Sequence, residues 1–159
     1  MPGVVGNLDE FINGLTVYEQ RFVVFFRKKV TRLMSEGMER LMDKTPVNTG
    51  QAVMNYVASV GSPYSGSAIE AGRAVEPTNK LALGAEQLRG GAEAVSRSTL
   101  RGIDYKDPFK VYWISNNSPN IKGLEYGELP YDPYTPRSPQ GMFAVTVQEL
   151  ISRLEAGSI

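Results

Sequence analysis

Phe22, Phe26, Val30, Leu33, Gly37 and Leu41 recur in steps of three or four residues, the spacing that lines one stripe of an α-helix. Arg27, Lys28, Arg32, Glu36, Glu39 and Asp43 lie mostly off that stripe. The pattern predicts a helix over 16–44, roughly 40 Å long. Thr16 and Glu19 have the spacing of a capping box at its start. Pro46 biases Thr45 away from helical angles and ends it. Val24 and Phe25 fall outside the stripe, and the expectation is that a second layer of the same subunit covers them, with another subunit as the alternative. Residues 1–15 are glycine-rich, carry a turn signal at Asn13-Gly14, and read as a flexible arm with one short helical piece.

After Gly50 the periodicity changes. Val53, Asn55, Val57 and Ser59 alternate with Met54, Tyr56, Ala58 and Val60, which predicts a strand over 51–60. Residues 61–77 are rich in Gly, Ser, Ala and Pro and read as a long loop. Leu81, Leu83, Ala85, Leu88, Ala92 and Val95 suggest a helix over 78–100, weakened by Gly84 and Gly90-Gly91. Phe109 to Ser115 carries the strongest strand signal, β-branched and aromatic after Pro108. Gly123 to Gly127 has the look of a short helical piece. Pro130, Pro133, Pro136 and Pro139 stiffen the stretch 128–139 into an extended loop. Met142, Phe143, Val145, Val147, Leu150, Ile151 and Leu154 give a closing helix over 140–156. The expected class is α+β: a long N-terminal helix and a C-terminal helix packed on a small, mostly antiparallel sheet, as one domain over 16–156.

Composition narrows the chemistry. The chain has 159 residues, 42% hydrophobic and 21% charged, ordinary for one soluble domain. Seventeen basic and seventeen acidic residues cancel, leaving no global pull toward nucleic acid or anionic membrane. There is no cysteine and no histidine, which excludes disulfides, thiolate nucleophiles, cysteine zinc sites and histidine-based triads. The longest run of large apolar residues, Phe22 to Phe26, falls far short of the roughly 20 needed to span a bilayer. A soluble protein made in the cytoplasm, without cofactor or metal, is expected. Asp104, Asp107, Glu125, Glu128 and Asp132 are scattered over loops without metal-ligand spacing, so a carboxylate hydrolase is the remote reading. Arg27, Lys28, Lys29 and Arg32 form one basic cluster on a helix face, the basis for a DNA-binding alternative, although so short a run more often forms a solvated face with partners such as Glu36 and Glu39.

What remains is two motifs built from turn and cap residues: Thr45-Pro46-Val47-Asn48-Thr49-Gly50, and Leu124-Glu125-Tyr126-Gly127 followed by Pro139-Gln140-Gly141-Met142. With the long helix before the first and a strand and Asn116-Asn117 turn before the second, the chain resembles the tail-completion proteins of tailed bacteriophages, the minor tail protein Z-like or head–tail connector-like group. The similarity runs in order through residues 16–60 and 109–152. It implies a non-enzymatic virion protein at the neck, assembled in the host cytoplasm. It also implies a homo-oligomeric ring, taken as hexameric, that contacts tail-terminator, tail-tube or head-closure and connector proteins. DNA would at most pass through its lumen. A head-closure or tail-terminator subunit of the same neck is the alternative. Assembly contacts are expected at Thr45, Pro46, Asn48, Thr49, Gly50, Glu125, Tyr126, Gly127, Tyr131, Tyr134, Pro136, Pro139, Gly141 and Met142, chiefly through the 128–139 loop and the end of the long helix.

Overall fold

The computed structural model describes residues 7–47, 49–69, 89–127 and 141–159. In order they form α1 (Leu8–Lys44), α2 (Gln51–Met54), β1 (Tyr56–Val60), α3 (Arg89–Arg101), β2 (Tyr112–Asn116), α4 (Ile121–Tyr126) and α5 (Phe143–Glu155). The class is α+β, as the sequence predicts. The sheet is a two-stranded antiparallel pair in the register Tyr56↔Asn116 through Val60↔Tyr112.

The 37 residues of α1 make a rod roughly 55 Å long. It starts at Leu8 instead of Thr16, so the predicted arm is helix from residue 8 onward. The Asn13-Gly14 turn signal is overridden by the apolar repeat Leu8, Phe11, Ile12 and Leu15, which continues the helical period upstream. Thr16 is therefore no cap; its hydroxyl donates to the Ile12 carbonyl one turn back, at 3.1 Å. Asp9 and Glu10 occupy the first turn, where their charge complements the helix dipole. At the other end Pro46 acts as expected: Thr45 is extended at φ −80°, ψ 122°, while its N–H still bonds the Leu41 and Met42 carbonyls.

The core gathers around the second half of α1. Met34, Met38, Leu41 and Met42 are buried with Val47, Val53, Tyr56, Ala58, Ala92, Leu124 and Met142. Four methionines suit an irregular space where short elements meet at unlike angles. At Gly37 the helix comes so close that an added Cβ would lie 3.3 Å from Ile114 Cδ1 and 3.4 Å from Leu150 Cδ1. A glycine on the apolar stripe is thus what lets β2 and α5 approach.

Two strands are shorter than predicted. Residues 51–54 wind into a helical turn, because Gly50 enters at φ 82°, the Asn55 amide donates back to the Gln51 carbonyl at 2.7 Å, and Ser96 takes the Val53 carbonyl at 2.6 Å. Ladder pairing begins only at Tyr56. The second strand starts at Tyr112, since the Asp107 carboxylate accepts the Phe109 N–H at 3.0 Å and holds that stretch in a turn. Of the predicted 78–100 helix, residues 89–101 are helical and 78–88 lie outside the described residues. Val24 and Phe25, expected under a second layer, are exposed instead.

Candidate assembly site

The two motifs at opposite ends of the chain meet. Thr45 is fully buried, and its hydroxyl lies 2.6 Å from the Leu41 carbonyl, 2.8 Å from the Tyr56 hydroxyl and 3.2 Å from Met142 Sδ. A threonine has one proton to give, and the carbonyl is the nearest and best acceptor. Tyr56 is therefore the donor to Thr45, and the sulfur is a close polarisable neighbour. Burial pushes the Tyr56 phenol well above its ordinary value. The phenol stays protonated and keeps donating.

Glu125 holds the start of α5. Its Oε2 accepts the N–H groups of Met142 at 2.6 Å and Phe143 at 2.9 Å, and its Oε1 accepts that of Ala144 at 3.0 Å. One carboxylate thus satisfies three of the donors that a helix start leaves open, in the place where negative charge is favoured. The position demands glycine next door. Gly141 has φ 89°, and a Cβ on it would fall 2.7 Å from the Glu125 carbonyl oxygen and 2.9 Å from Oε1. Gly127 closes α4 at φ 68°, its N–H bonded to the Gly123 carbonyl. Met142 is buried in the core.

These contacts sort the predicted site residues. Thr45, Gly50, Gly141 and Met142 are buried, and Pro46, Thr49 and Glu125 are half-buried. Thr49 Oγ1 accepts the Gln51 N–H at 3.3 Å, shaping the turn into α2. Gly127 is exposed beside Tyr126, which at 73% exposure points its ring into solvent. Asn48, Tyr131, Tyr134, Pro136 and Pro139 lie outside the described residues. The described members of both motifs therefore build one brace, and Tyr126 is the large side chain among them that faces outward.

Sequence reasoning passed over four side chains in and around this brace. Arg89 donates to the Met42 and Thr45 carbonyls, both at 2.8 Å, and closes the C-terminal end of α1. Its neighbours continue an ion ladder: Arg97 bonds Glu93 at 3.0 Å and grips Glu39 of α1 through two 2.7 Å contacts. The spacing Arg89, Glu93, Arg97 was legible as i,i+4 pairs. Asn55 likewise fastens the 61–69 stretch, with its amide donating to the Ile69 carbonyl at 2.9 Å and its oxygen accepting the Ile69 N–H at 2.6 Å.

The groups considered for other chemistry hold turns and helices. Asp104 and Asp107 accept the N–H groups of Lys106 and Phe109, and Glu125 is the helix cap just described; Glu128 and Asp132 lie outside the described residues. In the basic cluster Arg27 donates to the Lys106 carbonyl, Lys29 to the Ile159 carbonyl, and Arg32 pairs with Glu36. Between α1 and α5 lies a wide groove of about 670 Å³ lined by Arg40, Ala144, Val145, Gln148, Glu149, Ser152 and Arg153. Glu149 bonds Arg40 at 2.5 Å and Lys44 at 2.8 Å, and Arg153 reaches Glu36 at 3.3 Å. The ionic groups in and beside this groove serve to lash α5 onto α1. Among the described residues no three Asp or Glu side chains converge as metal ligands, and no helix is long and apolar enough to cross a membrane.

Comparisons with protein-family models, with curated proteins and with solved structures returned no match.

Proposed function

We propose that this chain is a structural virion protein of a tailed bacteriophage: a tail-completion subunit that forms a ring, taken as hexameric, at the neck and joins tail to head. It acts by fit instead of bond-making. The observation that carries the reading is the brace at Glu125. It holds Glu125, near the end of α4, against Gly141-Met142 at the start of α5, so the described residues on either side of 128–140 are fixed to one another. A proline-rich stretch clamped at both ends meets a neighbour with little further ordering cost, which is what a head-to-tail ring asks of one of its two unlike patches. The motif residues that carry the resemblance are the ones that build the clamp. The ring's outer contacts, with tail-terminator, tail-tube or head-closure proteins, belong to the same proposal, as does its place in the neck.

Deleting residues 130–137 is the test. The expected product melts like the full chain but no longer joins heads to tails in a complementation assay. Normal joining by the deletion variant would remove the loop, and with it the main support for the reading.

A further inference from the structure

The first half of α1 carries a second feature, independent of the clamp. Leu8, Phe11, Leu15, Tyr18, Phe22 and Phe25 follow one another in steps of three, four, three, four and three. That is the 3.5-residue repeat of a coiled-coil seam. All six are exposed, from 43% at Phe22 to 67% at Tyr18. The four aromatic side chains offer roughly 150–250 Å² each, about half of it open to solvent. With Leu8, Leu15 and the adjoining Ile12, the seam approaches the roughly 800 Å² that each partner gives to a stable interface. It is also anchored to the body of the domain. Phe109 packs on Phe26 at 6.0 Å between centroids, Phe26 on Phe22 at 4.5 Å, and Phe22 on Tyr18 at 6.3 Å.

We infer that this seam is an interface between two copies of the chain, paired antiparallel through residues 8–25. Charge selects the second copy and its direction. The acidic residues Asp9 and Glu10 mark one end of the segment, and the basic turn Arg27, Lys28 and Lys29 marks the other. Parallel pairing sets acidic turn against acidic turn and basic against basic; antiparallel pairing sets each against its opposite, as it does the helix dipoles. In the antiparallel arrangement Leu8 lies over Phe25 of the second copy, Phe11 over Phe22, and Leu15 over Tyr18. The flanking positions accept this register. Arg21 falls opposite Ile12 and Glu19 opposite Gly14, so no like charges are forced together. The apolar seam supplies the strength and the terminal charges supply the direction, since exposed ion pairs add little affinity on their own. The pairing is isologous and is built from residues 8–25, so it goes beyond the ring and does not rest on it.

The test uses the full-length protein. Wild type should sediment as a pair of chains or a multiple of a pair. The double variant Leu15→Glu, Tyr18→Glu should raise the dissociation constant roughly a hundredfold or more while keeping the circular dichroism and melting of the dilute wild type. Because the chain has no cysteine, Phe11→Cys protein mixed with Phe22→Cys protein reads the direction: oxidation should link 11 to 22 between copies. Several outcomes would overturn the inference. One is a wild type that stays monomeric when concentrated, whether its seam proves covered by residues 1–6 in hydrogen exchange or binds vesicles of zwitterionic and anionic phospholipid. A double variant of unchanged mass is another, and links of 11 to 11 and 22 to 22 would refute the antiparallel direction. Failure here leaves the 130–137 deletion experiment untouched, because those residues take no part in the seam.

Discussion

The two halves of α1 are one continuous helix with opposite fates. From Met34 to Met42 the apolar side is made of methionine, glycine and leucine, and it is buried against β1, β2, α3 and α5. From Leu8 to Phe25 it is made largely of phenylalanine, tyrosine and leucine, and described residues leave it open. Both halves are amphipathic, so periodicity alone does not distinguish them. Residue type does. Flexible methionines and a close-packing glycine suit an interior where strands and helices of one chain meet at unequal angles. Rigid aromatics at an even 3.5-residue spacing suit a straight, repeated surface. An amphipathic helix therefore needs two readings, one for where its stripe lies and one for what kind of neighbour the stripe is built to take.

The sharpest way to break this contrast is to truncate one residue in each half. Met38→Ala removes a side chain with no exposed surface and should cost about 2–5 kcal/mol in a denaturant melt. Phe11→Ala, measured in dilute monomeric protein, should stay within about 0.5 kcal/mol of wild type. Equal losses would mean that the first half of α1 is packed within the monomer after all.

A pair of glycines makes the same comparison at smaller scale. Gly141→Ala forces a Cβ onto the Glu125 carbonyl at a positive φ and should lose about 1–3 kcal/mol, with α5 fraying first in hydrogen exchange. Gly14→Ala meets nothing within 4 Å and sits inside a helix, so it should gain up to about 1 kcal/mol. A destabilised Gly14→Ala would show that close contacts exist around the first half.

The smallest effect is electrostatic and belongs to the buried half. The Arg97 guanidinium holds the Glu39 carboxyl below the usual carboxylate range, and Lys44 does the same for Glu149. A lowered folded pKa means that the unfolded chain takes up protons first as the pH falls. The stabilisation is therefore complete above about 4.5, the ordinary value, and fades as the pH drops through the folded values. Melting temperature should decline from pH 5 toward pH 3, and the double variant Glu39→Gln, Glu149→Gln should decline less steeply. An unchanged slope would show that these bridges add nothing to stability.

The chain's local signals were read well where one residue has one physical effect. Pro46 stops α1 because the residue before proline avoids helical angles, and that holds in any fold. The strand content of Tyr112 to Ser115 and the helix of α5 were legible from β-branching and periodicity. Misreadings came where a signal has two outcomes. Asn13-Gly14 marks a turn in isolation, yet Gly14 rides inside a helix whose apolar repeat runs through it. Residues 51–54 alternate like a strand, yet Ser96 and Asn55 claim their carbonyls for a helical turn.

From the residues themselves came most element types, the α+β class, the end of α1 at Pro46 and the two motifs built of turn and cap residues. Those are properties of single residues and short spacings, and they survive outside any fold. Tertiary structure alone decided that Thr45, Tyr56 and Met142 share one buried point, that Glu125 caps a helix seventeen residues downstream, and that one half of α1 is core while the other is surface. Each of these depends on which distant segments come within a few ångströms of one another, and burial and hydrogen bonding act through that distance.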